Sequence, residues 1–172
     1  LELRDSHGNL IDTWVSGTEP HEIKAVLIAD ETYTLIEVHP ADGYYYADDV
    51  TFTVSHDGSV DTVIMKDEKT KLTVSKTDMA GSAEIPGCKL EIRDAETGAV
   101  VDSWPSDVAP HVIEGLLIAD HRYVLVETRP ADGYAYAESI SFTMEHDGKI
   151  ADAVTMKDDT TKVEISKVDL TD

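Results

Sequence analysis

Apolar and polar residues alternate along most of the chain in short runs. Because side chains two positions apart share one face of a β-strand, this alternation predicts strands with one apolar face. In the second half of the chain the predicted strands are 90–93, 100–104, 123–128, 139–145, 151–156 and 163–167, with copies in the first half. The segments HVIEGLLIAD at 111–120 and HEIKAVLIAD at 21–30 are each predicted to hold one further strand and its bend, with a short helical turn as the alternative. Turn residues separate the runs, as in Glu-Thr-Gly at 96–98, Pro-Ala-Asp-Gly at 130–133 and His-Asp-Gly at 146–148. Short strands without a long helical pattern predict an all-β fold made of Ig-like β-sandwiches.

The pattern occurs about twice, which predicts tandem domains. The spacing from Trp14 to Trp104 recurs from Glu37 to Glu127. After a one-residue insertion, VIMKD at 63–67 matches VTMKD at 154–158, and TKLTVSKTD at 70–78 matches TKVEISKVD at 161–169. We therefore predict three parts: repeat one (1–69), which lacks its first strand, a complete repeat two (70–160), and a tail (161–172) that is the first strand of a further repeat. On this interpretation the chain is part of something larger.

Composition excludes several function classes. With 14 Lys and Arg against 35 Asp and Glu, the formal net charge is −21. This argues against binding to nucleic acid or to an anionic membrane surface, both of which need basic patches. No stretch resembles a signal peptide, a transmembrane span or a C-terminal anchor. The single cysteine, Cys88, excludes an intrachain disulfide. Because it precedes a predicted strand, Cys88 is interpreted as an incidental thiol rather than a nucleophile.

Motifs for metals, cofactors and turnover are not found in the sequence. The seven histidines have no metal-ligand spacing, and no Asp-rich calcium loop occurs. No Gly-rich phosphate loop or nucleophile elbow is present. We therefore expect no metal, no cofactor and no multiple-turnover enzyme.

Three ionisable residues of repeat two fall on predicted apolar faces: Lys76, Glu127 and Asp158. Each shares a strand face with the apolar residues two and four positions before it. The same holds for Glu37 and Asp67 in repeat one and for Lys167 in the tail. One interpretation is a buried, hydrogen-bonded charge cluster, and another is that strand ends bring these groups to the surface.

A third interpretation is chemical. Burial lowers the pKa of a lysine and raises that of a carboxyl group. A neutral amine beside a protonated carboxylic acid is a nucleophile beside an electrophile. With a glutamate to move protons, the amine attacks and water leaves, which joins the two side chains by an amide bond.

The residues that carry this pattern resemble the Cna-B-type, SpaA-like repeats of Gram-positive surface adhesins and pilins. The resemblance rests on SKTD with Lys76, LEIRDAETG at 90–98, VETRPADGY with Glu127, and VTMKD with Asp158. It implies a prealbumin-like β-sandwich with an intramolecular isopeptide bond. By resemblance, Lys76 is the nucleophile, Glu127 the catalytic acid/base and Asp158 the acceptor, in a single-turnover autocatalytic reaction. Where the family often has Ala-Pro-x-Gly-Tyr, this chain has Pro-Ala-Asp-Gly-Tyr, outside the acting groups.

Repeat one has Glu37 and Asp67 but no lysine of its own at the equivalent position, since Lys66 and Lys71 fall on outward faces. We hypothesise that the tail fills the first-strand position of a repeat one, so that Lys167 bonds to Asp67 with help from Glu37. Because the linker near 68–71 is short, the tail should reach another copy of the chain more easily than its own repeat one. The alternative is that repeat one stays open and the tail stays unpaired.

Three functions remain in competition. The first is a structural stalk or spacer module of a bacterial cell-surface protein, anchored to the cell wall in the full-length protein, with neighbouring repeats or another copy as partners. The second is an adhesin domain that binds a host protein or glycan. The third is an engineered chain for covalent coupling through Lys167 and Asp67. The near-identical repeats favour a spacer, because a binding head would more often carry one elaborated copy.

Overall fold

A computed structural model describes residues 1–57, 59, 62–146 and 154–169 of the chain. Within these residues there are eleven β-strands and no helix, so the predicted all-β class is confirmed. The described chain divides into two compact units. Leu1–Lys71 and Glu114–His121 belong to the first, and Leu72–Ile113 and Arg122–Thr143 belong to the second. None of the described residues forms a helix long and apolar enough to cross a membrane.

The first unit contains one antiparallel sheet of four strands in the order β2-β1-β3-β4. The strands are β1 (Glu2–Asp5), β2 (Leu10–Thr13), β3 (Thr32–Ile36) and β4 (Val50–Thr53). Their inward side chains form a small core in which Leu3, Tyr33 and Leu35 are buried. Val63 and Met65 are partly buried and pack against this core, and 63–67 forms no strand.

The second unit contains two sheets. A sheet of β10-β9-β6-β7 is antiparallel throughout, and a smaller sheet has the order β11-β5-β8. The strands are β5 (Lys71–Asp78), β6 (Lys89–Asp94), β7 (Val100–Pro105), β8 (His111–Glu114), β9 (Arg122–Arg129), β10 (Ile140–Thr143) and β11 (Val154–Asp158). Both sheets contribute buried apolar side chains, as expected for a β-sandwich: Leu72, Val74, Leu90, Ile92, Tyr123, Leu125 and Met156. The first and last strands, β5 and β11, pair in parallel.

Turn residues end the strands of this unit where the sequence predicts turns. Gly98 has φ +73° and Gly133 has φ +89°, a left-handed backbone conformation that glycine adopts without steric cost. The predicted turn at 146–148 lies largely outside the described residues, as do residues 151–153 at the start of the strand predicted over 151–156.

Two predicted strands are not formed in this single chain, for the same reason. Residues 163–167 of the tail are exposed and have no regular structure, and neither do residues 63–67 of repeat one. A strand exists only when its backbone groups pair with a neighbour, and alternation alone supplies no neighbour. In addition, 21–30 contains no strand, although its counterpart in repeat two contains β8.

Candidate functional site

Three strands of the second unit, two from the smaller sheet and one from the larger sheet, each bring one ionisable side chain into the core. Lys76 and Glu127 each lie two residues before the end of their strand, β5 and β9, and Asp158 is the last residue of β11. Their residues are only 1%, 6% and 1% exposed. The parallel register pairs Met156 with Lys76, so the inward side chain two residues further along β11 lies beside the lysine. The sequence therefore places these three residues correctly on inward faces.

The lysine amine is the centre of this cluster. Lys76 Nζ is in direct contact with Asp158 Oδ1, and it lies 3.1 Å from Glu127 Oε1. The backbone of Lys76 is held as well, because its N–H donates to Glu84 Oε2 at 2.7 Å and its carbonyl accepts from the N–H of Ile85 at 2.7 Å. These bonds fix the strand from which the amine extends.

Glu127 is oriented by a backbone group. Its Oε2 accepts the N–H of Ala137 at 2.8 Å. Its Oε1 is buried and accepts no hydrogen bond, although Lys76 Nζ is at ion-pair distance. The distance between Nζ and Oε1 is short enough for a hydrogen bond, but the angle between the two groups is not suitable for one. One oxygen of this buried carboxyl group is therefore available to accept a proton.

Burial dominates the titration of Asp158. Removal from water raises the pKa of this carboxyl group, and the nearby Glu127 raises it further. The Lys76 amine opposes both effects and lowers the pKa, without reversing the direction. The neutral acid of Asp158 therefore persists to a higher pH than it would in an ordinary surface aspartate.

Cys88 belongs to the same cluster, although the sequence analysis interpreted it as an incidental thiol. Its residue is 0% exposed, and its Sγ lies 3.7 Å from Asp158 Oδ2 as a hydrogen-bond donor. One ligand atom each of Cys88, Glu127 and Asp158 lie within 4.8 Å of one another, as in a metal site. Here the lysine amine contacts two of these three groups. The alternation of Cys88 with Leu90 and Ile92 was a signal that the thiol points inward.

The equivalent residues of repeat one are not brought together. Glu37 is half-buried, and its Oε2 accepts the N–H of Ala47 at 2.8 Å, in the same way as Glu127 in repeat two. Asp67 and Lys167 are both exposed, and neither forms an ion pair with another described residue. Among the described residues the cluster is thus assembled in repeat two, whereas the equivalent acceptor Asp67 lies at the surface.

Comparison with known proteins supports the fold. Residues 70–160 match the family described as SpaA, a prealbumin-like fold domain. Sequence comparison with curated proteins gives no match.

Three solved structures are similar to this chain. The shaft pilin SpaA of Lactobacillus rhamnosus GG is 16% identical, with 78% of this chain and 66% of that chain covered and a TM-score of 0.46. The TIE protein of Bacillus anthracis is 21% identical, with 75% and 25% covered and a TM-score of 0.47. The pilus-presented adhesin Cpa is 23% identical, with 45% and 18% covered and a TM-score of 0.38. This chain thus spans a quarter or less of the length of the last two.

Proposed function

Because the chain belongs to the SpaA family of prealbumin-like domains, we propose that it is a structural module of a bacterial cell-surface protein whose repeat two is closed by an isopeptide bond. The bond joins Lys76 to Asp158, and Glu127 promotes it. The observation that carries this proposal is the buried cluster in which the Lys76 amine contacts Asp158 and lies 3.1 Å from Glu127 Oε1. The module is a stalk or spacer, and it carries out this reaction once rather than as an enzyme.

The chemistry follows from the groups in the cluster. The neutral amine of Lys76 attacks Cγ of the protonated Asp158, and one C–O bond of that carboxyl group breaks. Glu127 takes a proton from the amine and delivers it to the leaving oxygen, which departs as water. Lys76 and Asp158 end as a neutral amide.

Removal of buried charge favours this reaction over a permanent ion pair. A buried ammonium and carboxylate lose their hydration, and their mutual attraction often does no more than offset that loss. Here a second carboxyl group, Glu127, shares the same lysine, so two carboxylates would compete for one cation. Amide formation eliminates the Lys76 and Asp158 charges, and it closes a loop of 82 residues.

The test is intact mass under denaturing conditions. We expect the chain to be lighter than its sequence mass by one water for each bond. The variants Lys76→Ala and Asp158→Ala should each lose one water fewer than the wild-type chain. Lys71→Ala, which removes an exposed lysine from the same strand, is the matched control and should still lose water. A wild-type chain with its full sequence mass would overturn the proposal.

We further propose that the tail supplies the first strand of a repeat one, as the sequence pattern predicts. Val163 and Ile165 are 82% and 90% exposed, whereas their counterparts in β5, Leu72 and Val74, are each 2% exposed. Exposed large apolar side chains in strand alternation are typical of a segment that pairs with a partner. Residues 63–67 of repeat one are the complementary segment, because they match β11 and form no strand.

In this arrangement Lys167 bonds to Asp67, and Glu37 promotes the reaction in repeat one. A denaturing gel should then show a ladder of covalent oligomers or a fast-running ring. Lys167→Ala and Asp67→Ala should each abolish these species, whereas Lys162→Ala, on the other face of the tail, should not. A single linear band for the wild-type chain would contradict strand donation.

A further inference from the structure

The inference in this subsection rests on the crosslink proposed above. We propose that the Cys88 thiol takes part in that reaction by donating a hydrogen bond to Asp158 Oδ2, the oxygen that becomes negatively charged when Lys76 attacks. The observation behind it is the 3.7 Å contact from Cys88 Sγ to Oδ2, within the cluster that holds the amine and both carboxyl groups. Cys88 is thereby a group in contact with the reacting atoms.

The two oxygens of Asp158 have different neighbours. Oδ1 is in contact with Lys76 Nζ, and Oδ2 accepts the hydrogen bond from the Cys88 thiol. The path that moves the atoms least is the one in which the incoming nitrogen takes the place of Oδ1. Oδ1 therefore leaves as water, and Oδ2 remains as the carbonyl oxygen of the amide.

The thiol is suited to donate because it stays protonated. Burial raises the pKa of Cys88, and although the Ser106 hydroxyl lowers it, the overall direction is upward. A neutral thiol is a poor nucleophile, so it does not compete with the amine for Cγ of Asp158. It is still a hydrogen-bond donor, and its bond strengthens as charge develops on the acceptor.

Cys88 is also held in place. Its backbone N–H donates to Ser106 Oγ at 2.9 Å, and its carbonyl accepts the N–H of Ser106 at 2.8 Å. Ser106 Oγ in turn donates to the carbonyl of Ile85 at 2.6 Å. A donor fixed before the reaction does not have to reorganise when the negative charge appears, which is the condition for stabilising a transition state.

The steps balance without any further reactant. The Nζ–Cγ bond forms while Oδ2 takes the electron pair of the C=O bond, and the S–H group of Cys88 stabilises the resulting oxyanion. Glu127 Oε1, which accepts no hydrogen bond, receives the proton released by the amine. As the C=O bond re-forms, the Cγ–Oδ1 bond breaks and water leaves with that proton. Cys88 keeps its own proton throughout.

The experiment measures how fast the chain loses water. The full chain is synthesised in a cell-free reaction, samples are stopped in denaturant, and intact mass gives the crosslinked fraction over time. The variants are Cys88→Val and Cys88→Thr, which are similar in size and shape, although only threonine has a donor. Removing a fixed oxyanion donor slows acyl chemistry by about 100-fold or more. Because a thiol is a weaker donor, we expect Cys88→Val to slow crosslinking about tenfold and Cys88→Thr to stay within about threefold of wild type.

If Cys88 has a purely structural role, the order of the crosslinking rates of the two variants is reversed. A buried hydroxyl costs more than a methyl group in an apolar position, so Cys88→Thr would then be the slower variant. Double variants that combine each Cys88 substitution with Lys76→Ala cannot form the crosslink, so their thermal unfolding measures the structural cost alone.

If the wild-type chain loses water and Cys88→Val loses it equally fast, the proposed role of Cys88 is wrong and the crosslink stands. If wild type never loses water, the crosslink itself is wrong. Should Cys88→Val not fold, Cys88→Ala against Cys88→Ser gives the same comparison.

Discussion

Repeat one and repeat two have closely similar sequences, yet their equivalent residues are buried to different degrees. Trp104 and Met156 of repeat two are buried, whereas Trp14 and Met65 of repeat one are only half-buried. The acceptor position changes as well. Asp158 is 1% exposed, and its counterpart Asp67 lies at the surface.

Strand β5 accounts for this difference. In repeat two, β11 forms by pairing along β5, and the two strands bring Lys76 and Asp158 together. Residues 63–67 match β11 but have no such neighbour, and residues 161–169 match β5 but have no strand beside them. Both segments therefore have the alternation of a strand, but such a segment forms a strand only when a second strand pairs with it.

Removing the crosslinking amine should lower the stability of repeat two against unfolding. Lys76→Met keeps the length of the side chain in its buried position but cannot form the bond. A covalent link that closes a loop of 82 residues stabilises by about 4–5 kcal/mol, by analogy with a disulfide. We expect the free energy of unfolding of repeat two to fall by about that amount, measured by guanidinium denaturation. Lys71→Met is the matched control, and an equal midpoint for Lys76→Met and wild type would contradict the prediction.

Disrupting the apolar face of the tail should prevent it from completing a repeat one. Ile165→Asp replaces an apolar side chain that is 90% exposed in the structure and that strand donation would bury. Burial of an isoleucine contributes about 1.5–3 kcal/mol, so tail association should weaken about 10- to 100-fold. The measurement is the fraction of covalent oligomer on a denaturing gel over a concentration series.

Glu164→Ala is the control for this prediction, because Glu164 lies on the opposite face of the predicted strand. It should leave oligomer formation unchanged. Equal loss in both variants would show that the face of the tail does not matter, and strand donation would then be rejected.

Crosslinking in repeat two should slow as the pH rises. The raised pKa of Asp158 keeps its carboxyl group neutral to a higher pH than usual, and only the neutral acid is a good acceptor for the amine. Above that raised pKa the fraction of chains in which Asp158 is the neutral acid falls about tenfold per pH unit. The rate of water loss after cell-free synthesis, measured across a pH series, should show this decline. A rate that rises through the whole alkaline range would contradict the requirement for a neutral Asp158.

The smallest effect concerns a surface pair that occurs in both repeats. His21 stacks on Trp14 with ring centroids 4.3 Å apart and contacts Asp12 at 2.9 Å, as His111 does with Trp104 and Asp102. The hydrogen bond from His21 lowers the pKa of Asp12. A lowered folded-state pKa adds stability above the unfolded value of about 3.9, and this is lost as the pH falls through the folded value.

Asp12→Asn should therefore lower the Tm of the first unit slightly near neutral pH. The difference from wild type should shrink as the pH falls below about 4. Thermal unfolding at a series of pH values checks this. A difference that grows in acid would have the wrong sign for a stabilising carboxylate.

The sequence predicts most of the fold because the chemistry of alternation is local. The inward positions of Lys76, Glu127 and Asp158 follow from their phase with Leu, Tyr and Met neighbours, and the turns follow from glycines at fixed offsets. Strand pairing is not local, so the absence of strands at 63–67 and 163–167 could not be predicted from their patterns. The role of Cys88 was missed for a related reason, since its contact is with a residue seventy positions away.

The parallel pairing of β5 and β11 has a mechanical consequence. The chain enters this strand pair at one end and leaves it at the other, so tension on the flanking segments would slide the two strands past each other. Their hydrogen bonds would then be loaded together rather than broken one after another. With Lys76 joined to Asp158, the pull would pass directly from strand to strand, and the 82-residue loop between them would carry no load. Repeat two would transmit force with almost no lengthening, whereas an uncompleted repeat one would stretch.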